Sequence, residues 1–224
     1  MQTLPIDSNT WIIADTHFGH ENINIHEPIR KQQAYQNGFS SSDEYMIYQW
    51  NSIVKEGDTV FHLGDFAFKH KDIKKLSERL NGDKILLVGN HDKDKDTKIL
   101  KSIGVGLVDS VMIDVKHPHI DTLTQKTSLS TKEQRLLCCY VCDIDNKRVM
   151  FTHFPLFDDN PYDESYKPIT SILESIYTKL QCDINIHGHT HSKGAKEDFC
   201  ISACVELNDF KPKRLRDILS DFGK

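Results

Sequence analysis

Short apolar runs alternate with helical patterns through the first half of the chain. Strands are predicted at 10–14, 59–63 and 84–88, where apolar residues follow one another as in strands buried on both faces. Apolar residues spaced three and four apart predict helices at 42–54, 71–80 and 96–103. This alternation is typical of a sheet with helices packed on its faces.

The second half contains more strands than helices. Strands are predicted at 107–115, 136–143, 148–152, 183–187 and 199–205, and helices at 168–180 and 213–222. The polar segment 116–131 predicts a long loop or insertion. Since 224 residues suffice for one ordinary domain, we predict a single α/β domain over 1–224, a mixed β-sandwich flanked by helices.

Composition narrows the class of protein. The charged fraction is 27%, the hydrophobic fraction 38% and the net charge -5, which is typical of a globular protein and does not favour nonspecific binding to nucleic acid. No apolar stretch is long enough to span a membrane, and the first residues lack the pattern of a signal peptide. We therefore expect a cytoplasmic protein without a membrane partner.

Six cysteines are expected to be reduced, as in other cytosolic proteins. Cys138, Cys139 and Cys142 have the close spacing of a zinc knuckle, but a second pair of ligands with similar spacing is missing. The run that contains them has the composition of a strand. We therefore predict buried, small side chains at these positions.

Five polar clusters come directly after predicted strands. They are Asp15-Thr16-His17, Gly64-Asp65, Gly89-Asn90-His91-Asp92, His153, and His187-Gly188-His189. Strand ends are where α/β proteins place binding sites, because the sheet fixes the backbone while the loops carry polar groups. Asp, His and Asn are ligands suited to Mn²⁺, Fe or Zn²⁺. Each cluster alone is common, but the five together predict a metal site.

The order of these clusters resembles the calcineurin-like metallophosphoesterase superfamily, and the matching motifs extend from Asp15 to His189. The longer strings at 15–23 and 62–66 are similar to a branch of small bacterial and phage members. The resemblance implies a four-layer α/β/β/α fold and an enzyme that hydrolyses phosphate esters. It also implies two divalent metal ions, which lower the pKa of a shared water and hold the phosphate oxygens for in-line attack.

The resemblance implies a role for individual residues as well. Seven side chains would bind the ions: Asp15, His17 and His189 the first, Asn90, His153 and His187 the second, and Asp65 both. His91 would protonate the leaving group or stabilise the transition state. Asp92 would orient His91 through a hydrogen bond between carboxylate and imidazole.

Other positions in the loops after the first two strands affect the choice of substrate. His20 and Asn22 are candidates for contact with the phosphate or a substrate hydroxyl, and the alternative is that they bond the loop backbone. The chain lacks the Arg that grips phosphate after Gly-Asp in protein Ser/Thr phosphatases. Phe68 stands where purple acid phosphatases have a Tyr ligand. We therefore expect neither of these two subclasses.

The leading hypothesis is metal-dependent hydrolysis of a phosphodiester or a nucleotide-like small substrate. Lack of the Arg favours a diester, which has one negative charge fewer to neutralise. A phosphomonoesterase and a nuclease acting on nucleic-acid ends remain alternatives, although no large basic surface supports the nuclease. An inactive binding scaffold is disfavoured because all the implied ligands and His91 are present. The sequence does not indicate an oligomeric state.

Overall fold

Two five-stranded sheets form the centre of the part of the chain that the computed structural model describes, residues 3–68, 72–116, 129–158 and 161–222. The first sheet contains β1 (Trp11–Ile13), β2 (Thr59–His62), β3 (Asp83–Leu87), β4 (Gly106–Val108) and β10 (Lys213–Arg214). Its order is β10-β1-β2-β3-β4, with β10 antiparallel and the other strands parallel.

The second sheet contains β5 (Val111–Asp114), β6 (Cys139–Ile144), β7 (Lys147–Thr152), β8 (Ile184–His187) and β9 (Cys200–Ser202), in that order. β6 and β7 are antiparallel, and the other pairs are parallel. Both sheets are therefore mixed.

Helices flank the two sheets, and most cover the outer faces, whereas Leu215, Ile218 and Leu219 of the last helix join the apolar cluster between the sheets. The helices are α1 (Ile23–His26), α2 (Pro28–Gln36), α3 (Ser42–Ile53), α4 (Ile73–Glu78), α5 (Asp94–Ser102), α6 (Thr131–Leu136), α7 (Lys167–Leu180) and α8 (Leu215–Asp221). Short 3-10 helices lie at Pro161–Tyr166, His191–Lys193 and Val205–Leu207. In the described residues, no helix is both long enough and apolar enough to cross a membrane.

Successive side chains of each strand point to opposite faces of the sheet, and the buried apolar side chains of the described residues form three clusters. Ile12 and Phe61 belong to the cluster between the two sheets, whereas their neighbours Ile13 and Val60 pack with the helices of the first sheet. A third cluster joins the second sheet to α7. The layers are thus helix, sheet, sheet and helix, which confirms the predicted α/β sandwich.

The cysteines are buried, as the sequence predicted. Cys138 and Cys142 pack between the sheets, while Cys139 packs on the opposite face against α7. Side chains on opposite faces of one strand cannot share a tetrahedral ion. The three cysteines near β6 therefore belong to the core.

Several element predictions differ from the structure. The strand predicted at 107–115 is two short strands, β4 and β5, in different sheets, and the strand predicted from 136 begins only after α6 ends. α1, α2, α6 and β10 were not predicted. α2 buries only Arg30 and Ala34, so it has no apolar stripe to recognise. Of the predicted insertion at 116–131, residues 117–128 lie outside the described residues.

Candidate metal centre

The five polar clusters lie at the carboxyl ends of β1, β2, β3, β7 and β8. Backbone contacts bring the two sheet edges together: Ala14, after β1, forms a bridge with Cys204, after β9, and the Ala14 N–H donates to the carbonyl of Ala203 at 2.8 Å. A direct tie between the sheets is the His189 N–H, which donates to Asp15 Oδ2 at 2.8 Å. Clusters that are up to 174 residues apart in sequence therefore share one site.

The backbone of the site adopts an uncommon conformation. Five of its non-glycine residues have positive φ: Asp15 (58°), His17 (49°), Asp65 (57°), His189 (73°) and His191 (51°). L-residues avoid this region, and such strain persists where the surroundings over-determine it. The loops are thus held in shapes that the strands alone do not impose.

Asp15, His17 and Asp65 form the first part of the donor set. His17 Nε2 lies 3.7 Å from Asp15 Oδ1 and 3.5 Å from Asp65 Oδ2. Among the described residues, Asp15 Oδ1 and both ring nitrogens of His17 are buried without a hydrogen-bond partner. Buried polar atoms are normally paired, so orphaned donor atoms around one point fit a bound cation.

Asn90, His153 and His189 form the second part. His153 Nδ1 donates to the carbonyl of Leu63 at 2.8 Å, and burial lowers the pKa of His153 and keeps the ring neutral. Nε2 therefore carries a lone pair, and it lies 2.8 Å from Asn90 Oδ1, which also accepts. His189 Nδ1 lies 3.0 Å from the same oxygen. A cation between the two acceptors would stabilise this arrangement.

Asp65 stands between the two parts. Its Oδ2 lies 3.5 Å from His17 Nε2 and 3.5 Å from His153 Nε2. Burial raises the pKa of Asp65, but the favourable interaction of its carboxylate with the neighbouring imidazoles of His153 and His17 outweighs burial and lowers the pKa. For Asp15 burial is likewise outweighed, chiefly by the neighbouring imidazole of His17, and the pKa falls well below its ordinary value. Both carboxylates are thus ionised at neutral pH and offer negative charge to a cation.

His191 completes the donor set, although the sequence analysis did not select it. His191 converges with Asp15 and His17, and its Nε2 lies 4.0 Å from Asp15 Oδ1. The segment from 187 to 191 has a His at every second position, and the first two were predicted as ligands. Spacing alone does not separate His187 from His191, because both lie two residues from His189.

His187 has a different environment from the one predicted. It is the last residue of β8, its Nδ1 donates to the carbonyl of Gly188 at 2.7 Å, and burial lowers its pKa to about 4. In the described part of the chain, its Nε2 is buried without a hydrogen-bond partner, and neither His187 nor His189 belongs to a group of His, Cys, Asp and Glu atoms that converge within 4.8 Å. The structure places His189, not His187, beside Asn90.

Asp92 does not orient His91 in the predicted way. Asp92 Oδ2 accepts the N–H groups of Asp65 and Gly89 at 2.8 Å, and Oδ1 accepts the N–H of Phe66 at 2.9 Å. Burial and the charge of Asp65 raise the pKa of Asp92 to about 7, against the opposing effect of the three donors. Both oxygens are therefore engaged by backbone, and Asp92 ties the loop after β2 to the loop after β3.

His91 extends from this loop towards the open side of the site. Its N–H donates to Asp65 Oδ1 at 2.7 Å, and its ring packs against the rings of Phe68 and His17, with centroids 5.4 and 5.2 Å away.

His20 packs on Phe68 at 4.2 Å, and burial lowers the pKa of His20 to about 4. Asn22 is exposed at the start of α1. His91 lines the adjoining cleft, whereas His20 and Asn22 are not among the residues that line it.

The cleft beside the donor set has a volume of about 730 Å³. Asp65, Asn90, His189 and His191 lie on its wall. The rest of the lining carries charges of both signs, including Glu27, Asp158, Lys193 and Lys196. A small organic phosphate fits a cleft of this size.

Carboxylate, imidazole and amide donors at the joined edges of two sheets are typical of a hydrolase that acts on phosphate esters. The chain belongs to the calcineurin-like phosphoesterase superfamily, whose domain matches residues 9–205. The family is metal-dependent, and the groups around Asp15 and Asp65 have the composition and spacing to hold metal. The predicted family, fold and enzyme class are confirmed.

Three individual proteins are also similar to this chain, but their names do not identify a substrate. An uncharacterized protein of Methanocaldococcus jannaschii is 35% identical over 86 residues, which are 37% of this chain and 46% of that protein. The Gene 66 protein of Mycobacterium phage L5 is 25% identical over 83% of this chain and 78% of its own length. The crystal structure of a protein of unknown function from Aquifex aeolicus matches with 29% identity and a TM-score of 0.67, covering 94% and 97% of the two chains.

Gly89 provides a test of how closely the loop after β3 must approach Asp65 and His153. A Cβ at this position would stand 2.3 Å from Asp65 Oδ1 and 2.9 Å from His153 Cε1. We predict that Gly89→Ala displaces the Asp65 carboxylate and weakens Mn²⁺ binding about 10–100-fold, measured by titration calorimetry. The control is Gly106→Ala on the neighbouring strand, where the new Cβ meets only the side chain of Ile85, at 3.3 Å. Equal Mn²⁺ affinity in the two variants would contradict this account of the loop contact.

Proposed function

We propose that this chain hydrolyses phosphodiesters of small or nucleotide-like substrates with two divalent metal ions held on either side of Asp65. The observation that carries the proposal is the position of Asp65 Oδ2, 3.5 Å from a histidine nitrogen of each donor set. An oxygen shared in this way suits a bridging ligand. Dinuclear hydrolases hold their ions about 3.5–4 Å apart, a separation that one bridging carboxylate spans.

The proposed ligands divide into two sets. Asp15, His17 and His191 would hold the first ion, Asn90, His153 and His189 the second, and Asp65 both. This assignment replaces His187 of the sequence prediction by His191 and moves His189 to the second ion. Imidazole, amide and carboxylate ligands suit Mn²⁺, Fe or Zn²⁺, and we propose Mn²⁺ as the ion for assay. The ions, when bound, would supply an activated water and Lewis acidity towards phosphate oxygens.

The residues of the chain have three tasks in this proposal. The buried carboxylates Asp15 and Asp65 provide the negative charge that retains cations. His91 stands on the wall of the cleft beside Asp65 and delivers a proton to the departing alkoxide. Asp92 keeps the loops that carry Asp65 and Asn90 at a fixed distance. Activity thus depends on the charge at Asp65 and on the proton at His91.

The cleft supports a diester better than a monoester. In its lining, the carboxylates Glu27 and Asp158 offset Lys193 and Lys196, and no Arg is among the described residues of the lining. A monoester dianion carries one more negative charge than a diester, and these four side chains provide no net positive charge to neutralise it. Two lysines beside two carboxylates also do not form the clustered cationic surface on which binding to a long nucleic acid rests. A small diester is therefore the substrate class that we propose.

A substrate panel tests the proposed activity. With Mn²⁺ we expect bis(p-nitrophenyl) phosphate and a cyclic nucleotide to be hydrolysed with higher kcat/KM than p-nitrophenyl phosphate or a short single-stranded DNA. Asp65→Asn should reduce kcat to below about a tenth, which is about 1.4 kcal/mol of barrier, because the amide cannot bridge two cations. Asp83→Asn is the matched control, since Asp83 is exposed at the opposite end of β3.

Two results would count against the proposal. Faster turnover of the monoester would assign the site to a phosphomonoesterase, and preference for the DNA would assign it to a nuclease. Retention of more than about a tenth of kcat in Asp65→Asn would remove the bridging role.

The role of His91 gives a separate prediction. An alkoxide of high pKa needs a proton to depart, whereas nitrophenolate leaves readily without one. General acid catalysis typically contributes 10²–10⁴-fold, so we expect His91→Ala to lose about that factor on alkyl esters and far less on nitrophenyl esters. Metal content, measured by elemental analysis, should equal that of the wild type. Equal losses on both esters would indicate charge stabilisation instead, and loss of an ion would make His91 a ligand.

A further inference from the structure

A buried ion pair lies directly behind the first donor set. Arg30 of α2 and Glu206 in the turn after β9 have no exposed side-chain area, and Arg30 Nη2 lies 2.5 Å from Glu206 Oε1. Arg30 Nε also donates to Glu206 Oε1, at 2.7 Å. Removing two charges from water costs several kcal/mol per ion, so a buried pair of this kind adds little net stability. Its contacts with the site suggest another purpose.

Arg30 holds the loop that carries Asp15 and His17. Its Nη2 donates to the carbonyl of Asp15 at 2.6 Å, and its Nη1 donates to the carbonyl of Thr16 at 2.9 Å. Asp15 and His17 on either side of Thr16 have positive φ, a conformation that needs external support. The planar guanidinium provides two fixed donors for that purpose.

Glu206 determines which nitrogen of His191 carries a proton. His191 Nδ1 lies 3.0 Å from Glu206 Oε1, and an ionised carboxylate only accepts, so Nδ1 donates. In the neutral ring the lone pair is then on Nε2, the atom 4.0 Å from Asp15 Oδ1. The carboxylate therefore selects the tautomer that faces the donor set.

We propose that Arg30 and Glu206 are positioning residues that together set the geometry of the first metal site, Arg30 through the Asp15 loop and Glu206 through the tautomer of His191. This inference rests on the proposed function, in which Asp15, His17 and His191 are ligands. Glu27, His191 and Glu206 also converge within 4.8 Å, and among the described residues Glu206 Oε2 is buried without a hydrogen-bond partner, but the positive charge of the Arg30 guanidinium beside Glu206 would repel a further cation. An ion pair therefore accounts for this cluster better than a further cation.

The first test is the tautomer of His191 in metal-free wild-type protein. Long-range ¹H–¹⁵N NMR, recorded above the pH at which this ring loses its second proton, distinguishes the two tautomers. His191→Gln identifies the signals of this ring by their loss. We expect a proton on Nδ1 and a lone pair on Nε2. A proton on Nε2 would overturn the proposal, whether or not any variant folds.

The second test compares two double variants that both lack the ion pair. Arg30→Met with Glu206→Gln keeps an acceptor for His191 Nδ1, whereas Arg30→Met with Glu206→Met removes it. Both avoid an unpaired buried charge, which would cost more than the contact under study. Because Gln and Met have similar length and shape, the acceptor is the difference between the variants.

Metal binding and tautomer are then measured in both double variants. We expect the one with Glu206→Met to contain a mixture of tautomers at His191. It should also bind the weaker of its two Mn²⁺ ions about 10–100-fold less tightly than the one with Glu206→Gln. Equal affinity and equal tautomers in the two variants would overturn the role of Glu206, and wild-type affinity in the variant with Glu206→Gln would overturn that of Arg30. A wild-type chain that binds no metal would instead refute the proposed function, and the tautomer experiment separates that failure from this one.

Discussion

The carboxylate of Asp65 is the feature on which the rest of the site depends. It is buried where the edges of the two sheets meet, with His17 of the first sheet and His153 of the second each 3.5 Å from one of its oxygens. A buried charge is costly unless it is paired, so the loops around Asp65 must bring donors or cations to it. This requirement explains why loops from both sheets converge at one point instead of spreading along the edges.

Two charged side chains keep those loops in place in complementary ways. Asp92 accepts three backbone N–H groups from the loops after β2 and β3, and Arg30 donates to two carbonyls of the loop after β1. Where the backbone leaves a strand, its N–H and C=O groups lose their hydrogen-bond partners in the sheet, and the buried groups need other partners. One carboxylate supplies acceptors and one guanidinium supplies donors. The strained conformations of Asp15, His17 and Asp65 are thereby supported from outside the donor set.

The sequence predicted most of the first sheet because β1, β2 and β3 are continuous apolar runs, and each is followed by a polar cluster. The sequence predicted the structure less well where the buried side chains are charged. Arg30 is fully buried on a helix without an apolar stripe, and nothing in the local pattern of α2 marks it as a partner of Glu206, which is 176 residues away.

The choice among the three histidines near 189 required three-dimensional information. His187 and His191 are both next-but-one neighbours of His189, so spacing alone does not separate them. The structure separates them because β8 ends at His187 and the chain then turns, which brings His191 to Asp15 and His17. The role of Asp92 was ambiguous for a similar reason. Its position next to His91 suggested a hydrogen bond to the His91 ring, but in the structure its carboxylate accepts three backbone N–H groups.

The most direct test of the dinuclear account is anomalous X-ray scattering at the manganese absorption edge from crystals soaked in Mn²⁺. The account predicts two peaks about 3.5–4 Å apart on either side of Asp65, one bonded to His191 Nε2 and the other to Asn90, His153 and His189. A single peak beside Asp65, or a peak bonded to His187 in place of His191, would contradict it.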